Sequence, residues 1–252
     1  MPSVRVYLLP SHCELDALRG GCAVILDILR ASTTIIQALA SGVKAVIPCG
    51  EVAEAEGVAT KIREAGGQPI LGGERGGVRL PGFDLGNSPA EYTPERMAGR
   101  TLVFTTTNGT RALLRARQAR QIFVGGFVNL QAVVNNLAAD GGDVHILCAG
   151  TDGEISLEDV LCAGAIVAGL PASTSYGNDE AYLAAATWDK HGRDPAHIAQ
   201  ALRNSRGGRN LIELGLESDI PLAAARDART IVPSWDVSTG LITRCTSQMR
   251  QR

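Results

Sequence analysis

The stretch AVILDILRASTTIIQALA, residues 23–40, decides how the chain is read. Its first part, Ala23–Ile28, is a short apolar run of strand length, and Asp27 ends it. Arg30 follows, then Ser32 or Thr33 as the cap of a helix continuing to Ala40. A buried strand that feeds straight into a helix through a polar turn is half of a β-α-β unit.

The same alternation recurs along the chain. Further strands are predicted at Ala45–Cys49, Pro69–Leu71, Thr101–Thr105, Gln121–Val124 and Val144–Ala149. Helices are predicted near Val52–Ala65, Pro89–Met97, Gly109–Ala116, Leu130–Ala139 and Leu157–Ala168. The expected fold is α/β, a mostly parallel or mixed sheet with helices on both faces. After residue 170 the rhythm gives way to helical patterns at Asp179–Lys190, Ala196–Asn204, Asn210–Leu214 and Ile220–Asp227. The chain is read as one domain, 1–252, with a helical C-terminal part; a separate subdomain at 170–252 is the alternative.

Composition narrows the function. Aromatics are only 4% of the chain, so Val, Ile, Leu and Ala must build the core. Net charge is −2 and no Lys/Arg cluster is interleaved with aromatics, which argues against nucleic acid as a partner. Val160–Ala172, the longest weakly polar run, is shorter than the ~20 residues of a membrane span, and MPSVRVYLLP does not read as a signal peptide. A cytoplasmic protein without a membrane partner is expected. Six dispersed cysteines with no CxxC pair read as reduced core thiols. Histidines 12, 145, 191 and 197 show no metal-ligand spacing.

In open α/β sheets, ligands collect beyond the carboxyl ends of the strands. Four loops there carry the same mixture of acids, arginines and helix starts. They are LDILRASTT with Asp27, Arg30, Ser32 and Thr33; GGERGG with Glu74 and Arg75, running on to Asp84 and Asn87; FTTTNGTR with Thr107, Asn108, Gly109 and Thr110; and CAGTDGEISLED with Asp152, Glu154, Glu158 and Asp159. Helix starts and arginines attract anions, whereas carboxylates repel them. A hard cation such as Mg²⁺ among the acids resolves the conflict, because it takes carboxylate and phosphate oxygens together. The plain alternatives are that Asp27 and Asp84 cap turns, that TTTNGT is an ordinary capped helix start, and that Glu158 and Asp159 complement a helix dipole.

The usual phosphate motifs are missing. There is no GxxxxGK[ST] and no GxGxxG, and Leu29 stands where an aspartyl-phosphate enzyme needs a second Asp. Cys13 and Arg19 have cysteine-phosphatase spacing, but the ELDAL between them has no glycine and two acids that would repel phosphate.

Taken in order, Asp27-Ile28-Leu29-Arg30-Ala31-Ser32-Thr33, Gly73-Glu74-Arg75, Gly82 through Pro89, Thr107-Asn108-Gly109-Thr110, Cys148-Ala149-Gly150 and Leu157-Glu158-Asp159 resemble the 2-phosphosulfolactate phosphatase family. Arg206-Gly207-Gly208 and Ile231-Val232-Pro233 extend the likeness over nearly the whole chain. The resemblance implies a Mg²⁺-dependent phosphomonoester hydrolase that converts 2-phosphosulfolactate to sulfolactate and phosphate, a step of coenzyme M biosynthesis in some archaea. It also implies an α/β fold peculiar to the family.

On residue chemistry, Asp27, Asp84 and Asp159 are the expected metal ligands, and Glu74 or Glu158 the base. Asp27, Glu74, Asp84 and Glu158 form the expected catalytic set. A small organophosphate would be gripped by Arg30, Arg75 and Arg206, by Asn87, by Ser32 and Thr33, and by the Thr107–Thr110 helix start. A covalent route through Ser32 or Asp27 stays open, as does a homo-oligomer. The rival readings are another metal-dependent reaction, such as lyase chemistry, on a related phosphorylated or sulfonated hydroxy acid, and a non-catalytic sensor of such anions.

Overall fold

Strand β2, Cys22–Leu26, is buried at all five positions, and its side chains divide between two cores. Cys22, Val24 and Leu26 pack with one cluster, Ala23 and Ile25 with the other, as the period-2 geometry of a strand requires. Each large aliphatic side chain so buried contributes roughly 1.5–3 kcal/mol. Helices therefore cover both faces of the sheet.

The structure is a computed structural model describing residues 1–192 and 194–245; the end of the expected domain, 246–252, lies outside the described residues. In chain order the elements begin β1 Ser3–Tyr7, β2, α1 Ala31–Ala40, β3 Ala45–Pro48, α2 Val52–Glu64, β4 Pro69–Arg75, β5 Val78–Arg79, α3 Pro94–Met97, β6 Thr101–Thr105 and α4 Gly109–Arg115. They continue with β7 Gln121–Gly125, α5 Leu130–Asp140, β8 Val144–Cys148, α6 Leu157–Gly169, β9 Ser175–Tyr176 and α7 Asp179–His191. The chain closes with α8 Pro195–Asn204, α9 Arg206–Glu213, α10 Asp219–Ala224, β10 Pro233–Asp236 and β11 Leu241–Arg244.

The sheet runs β5-β4-β6-β3-β11-β10-β7-β2-β8-β1-β9. Strands β4, β6 and β3 form one parallel block, and β7, β2, β8, β1 and β9 another. The hairpin β10–β11 joins them antiparallel on both sides, so the two blocks run in opposite senses. On a flat sheet their carboxyl ends would leave opposite edges. A twist of about 20–25° per strand pair, summed over the six steps from β4 to β2, turns the blocks by roughly 120–150° and brings those ends to one side. One core cluster draws on both blocks, with Ile25, Val124 and Leu147 from one and Val46, Ile70, Leu102 and Phe104 from the other, around α1 and α4.

The helices α7–α10 supply Ala181, Ala184, Ile198, Leu202, Leu211 and Ile220 to the same core as β2 and α6. The predicted helix Pro89–Met97 is instead a single 3-10 turn, Pro89–Glu91, followed by the short α3. Pro94 separates them, because the residue before a proline is pushed out of the helical region.

Candidate active site

The turn after β2 is closed by Asp27 itself. Its Oδ1 accepts from the Ala31 N–H at 3.1 Å and its carbonyl from the Ser32 N–H at 2.8 Å, which satisfies the first turn of α1. Ser32 Oγ accepts from the Asp27 N–H and donates to the Ile25 carbonyl; Thr33 Oγ1 donates to the Ile28 carbonyl. Both hydroxyls thus bond the protein's own backbone, and neither residue is among those lining the cavity described below. Asp27 Oδ2 lies against Gly109, where any Cβ would crowd it.

The GGERGG segment is the end of β4 and the turn into β5. Gly76 and Gly77 have φ of 57° and 81°, which lets the turn fold back so that the Gly77 N–H donates to Glu74 Oε2 at 2.6 Å. Glu74 Oε1 accepts from the Thr107 N–H at 2.9 Å, tying this turn to the one after β6. Arg75 points elsewhere: its guanidinium donates to the carbonyls of Glu74 and Gly50 and to Thr105 Oγ1. It braces β4 and is not among the residues that line the cavity described below.

Asp84 is also placed outside the site. It is exposed, and its Oδ2 accepts from the Leu71 N–H, pinning the loop to β4. Neighbouring Ser88 caps nothing; its Oγ donates to Asp219. Asn87 is the member of that stretch that reaches the ligand side, with Oδ1 buried and without a partner.

Asp159 spends both oxygens on backbone, accepting from Ile28 N–H at 2.9 Å and Gly150 N–H at 3.0 Å, so it locks the β2 and β8 turns together. Burial pushes its pKa well up, with Glu158 and Asp27 adding repulsion. Glu158, 1% exposed, stands behind Gly207 of α9, where a Cβ would collide with Glu158 Oε1. Burial raises its pKa as well; its own N–H, Ser205, Gly207 and Ser156 oppose the rise, yet Oε2 keeps no hydrogen-bond partner.

These elements enclose a cavity of about 240 Å³. Asp27, Arg30, Glu74, Asn87, Thr107 and Asn108 line it among the expected residues. Gly109 and Thr110 lie just beneath, beside Ala31, and Arg206 adjoins its lining residue Gly207. Arg206 is half-buried and its guanidinium forms no hydrogen bond or ion pair among the described residues. Sequence reasoning missed the wall contributed by α9, through Gly207, Asn210, Leu211, Glu213 and Leu214. Positions 207, 210, 211 and 214 follow the i, i+3, i+4, i+7 spacing of one helix face, and that spacing was the available signal.

Charge is unbalanced in this cavity. Asp27, Glu74, Asp152 and Glu213 line it against Arg30 alone, and Arg30 is already paired with Asp219. Desolvation, reinforced by Glu74 and Glu158, pushes the Asp27 pKa up to about 7 although the Ala31 N–H and Arg30 oppose it. Among the described residues no three His, Cys, Asp or Glu side chains form a ready-made metal cluster. Asp27 and Asn87, which both line the cavity, carry hard oxygens of the kind Mg²⁺ takes, and Asn87 Oδ1 has no hydrogen-bond partner.

The sequence pattern of the 2-phosphosulpholactate phosphatase family matches residues 7–237. A probable 2-phosphosulfolactate phosphatase of Symbiobacterium thermophilum is 41% identical over 220 residues, 86% of this chain and 92% of that protein. Another so named, of Deinococcus radiodurans, is 40% identical over 95% of this chain and 97% of its own. A third, of Thermosynechococcus vestitus, is 39% identical over 96% and 99%. With the match spanning residues 7–237 and relatives about 40% identical along most of the chain, the chain belongs to the 2-phosphosulpholactate phosphatase family.

Proposed function

We propose that the protein is a Mg²⁺-dependent phosphomonoester hydrolase acting on 2-phosphosulfolactate or a close 2-phospho-hydroxy acid, in the cavity between the strand-end turns and α9. The observation that carries this reading is the surplus of carboxylates in a cavity that also holds Arg30 and adjoins the unpaired Arg206. Such a surplus rejects a bare polyanion and accepts one accompanied by a cation.

Asp27 and Asn87 would hold the metal. When bound there, Mg²⁺ would offset the carboxylates and stabilise charge developing on the phosphoryl oxygens. Arg30 and Arg206 would bind the substrate's anionic groups, and Thr107 and Asn108 would orient them. Glu74 is held by two backbone N–H groups and stands in the cavity wall, and it would take the proton of the attacking water. Glu158 is behind Gly207 and acts on the cavity through α9.

Phosphate release from 2-phosphosulfolactate and a panel of 2-phospho-hydroxy acids, with Mg²⁺ or EDTA, tests the proposal. Release that depends on Mg²⁺ is expected. Turnover undiminished in rigorously metal-free protein would refute the metal's role, and no release from any of the panel would refute the hydrolase reading.

A further inference from the structure

Arg30 is held unusually firmly for a residue in a cavity wall. Its Nη1 donates to Asp219 Oδ2 at 2.8 Å and its Nη2 to the Gly77 carbonyl at 2.8 Å. The other carboxylate oxygen of Asp219 accepts from Ser88 Oγ at 2.6 Å. Arg30 and Asp219 are 4% and 1% exposed, and the pair joins residues 189 positions apart. Asp219 opens α10, so one carboxylate connects the β2–α1 turn, the Asn87 loop and the C-terminal helices.

Burying an ion pair gives the fold little, since desolvation of both groups offsets their attraction and apolar replacements often serve as well. The pair does have a consequence for the cavity. A guanidinium has five N–H donors, and the contacts to Asp219 and Gly77 use two. The rest stay available on a group that two short contacts hold in place.

We propose that Asp219 is a positioning residue, fixing the Arg30 guanidinium where it receives an anionic group of the substrate, with Ser88 as the tether that keeps Asn87 in register with it. The proposal rests on the hydrolase reading above and deepens it. Asp219 touches no reacting atom and acts only through Arg30.

The test is a double-mutant cycle, wild type, Arg30→Ala, Asp219→Asn and the double variant, read by steady-state kinetics and by the Kd of inorganic phosphate from calorimetry. Asp219→Asn should raise KM and the phosphate Kd at least about tenfold, with kcat changed far less. In the Arg30→Ala background the same change should add almost nothing, because the group being positioned is gone. Asp219→Glu, which keeps the charge and moves the carboxylate by one methylene, should raise KM while largely keeping the melting temperature, and serves if Asp219→Asn does not fold. Additive effects in the cycle, or a lower melting temperature with KM and Kd unchanged, would overturn the proposal. If the wild type binds phosphate but hydrolyses nothing in the panel, the hydrolase reading fails while the binding cycle still decides the role of Asp219. No phosphate binding by the wild type would overturn both.

Discussion

Asp27 closes the first turn of α1 through Oδ1, while Oδ2, beside Gly109, accepts no hydrogen bond among the described residues, and the residue lines the cavity. An Asn there keeps the turn but not the charge. Asp27→Asn is therefore expected to fold normally and to lose about a hundred-fold or more in kcat/KM, the scale of a charged contact made in the transition state. Its pKa adds a pH signature. Burial raises it from 3.8 to about 7, so the folded protein holds a proton that the unfolded chain releases. Stability contributed by this group is therefore present below about pH 4 and lost as pH rises towards 7. In EDTA, chemical denaturation at about pH 5 and about pH 7.5 should show the wild type weakening more than Asp27→Asn, and Mg²⁺ should reverse the difference. Arg75 has the opposite profile. Its three hydrogen bonds to Glu74, Gly50 and Thr105 cannot all be made by a lysine. Arg75→Lys should cost roughly 1–3 kcal/mol of stability, visible as a lower melting temperature, with kcat/KM within about threefold.

The elements that sequence made legible are those with strong patterns. The five-residue apolar strands and the helices between them stand within a few residues of their expected places, because burial on both faces leaves a nearly continuous apolar run. Strand β1, SVRVY, went unread although its alternation is plain, with Val4 and Val6 buried and Arg5 exposed. The hairpin β10–β11 was hidden more deeply, since PSWD and LITR are short and mixed in polarity. The site was legible as a set of loops, and less so as roles. Ser88 to Glu91 has the S-x-x-E spacing of a capping box, yet Ser88 donates to Asp219 and Glu91 accepts from the Gly86 N–H instead. Nothing local could reveal that Asp219 lies against Arg30. At α9, Gly207 permits the close approach of Glu158. Gly207→Ala should displace the helix and its cavity wall, lowering kcat/KM more than about tenfold, and circular dichroism should show the rest of the fold intact. Full activity in that variant would separate α9 from the site.

Across the whole molecule, turns from two oppositely running parallel blocks line the one cavity, and the β10–β11 hairpin is the only element between the blocks in the sheet among the described residues. Trp235 and Ile242 are its buried anchors in the core that spans both blocks. Trp235→Ala should cost about 3–5 kcal/mol, or roughly 6–20 °C in melting temperature. At this junction, on the proposal above, Asp27 and Asn87 bring the metal and the phosphoryl group together. Crystals grown with Mn²⁺ in place of Mg²⁺ test it most directly, through the anomalous difference density. The account predicts one strong peak inside the cavity, within bonding distance of Asp27 Oδ2 and beside Asn87. A peak at Asp84 on the exposed loop, with the cavity holding none, would contradict it.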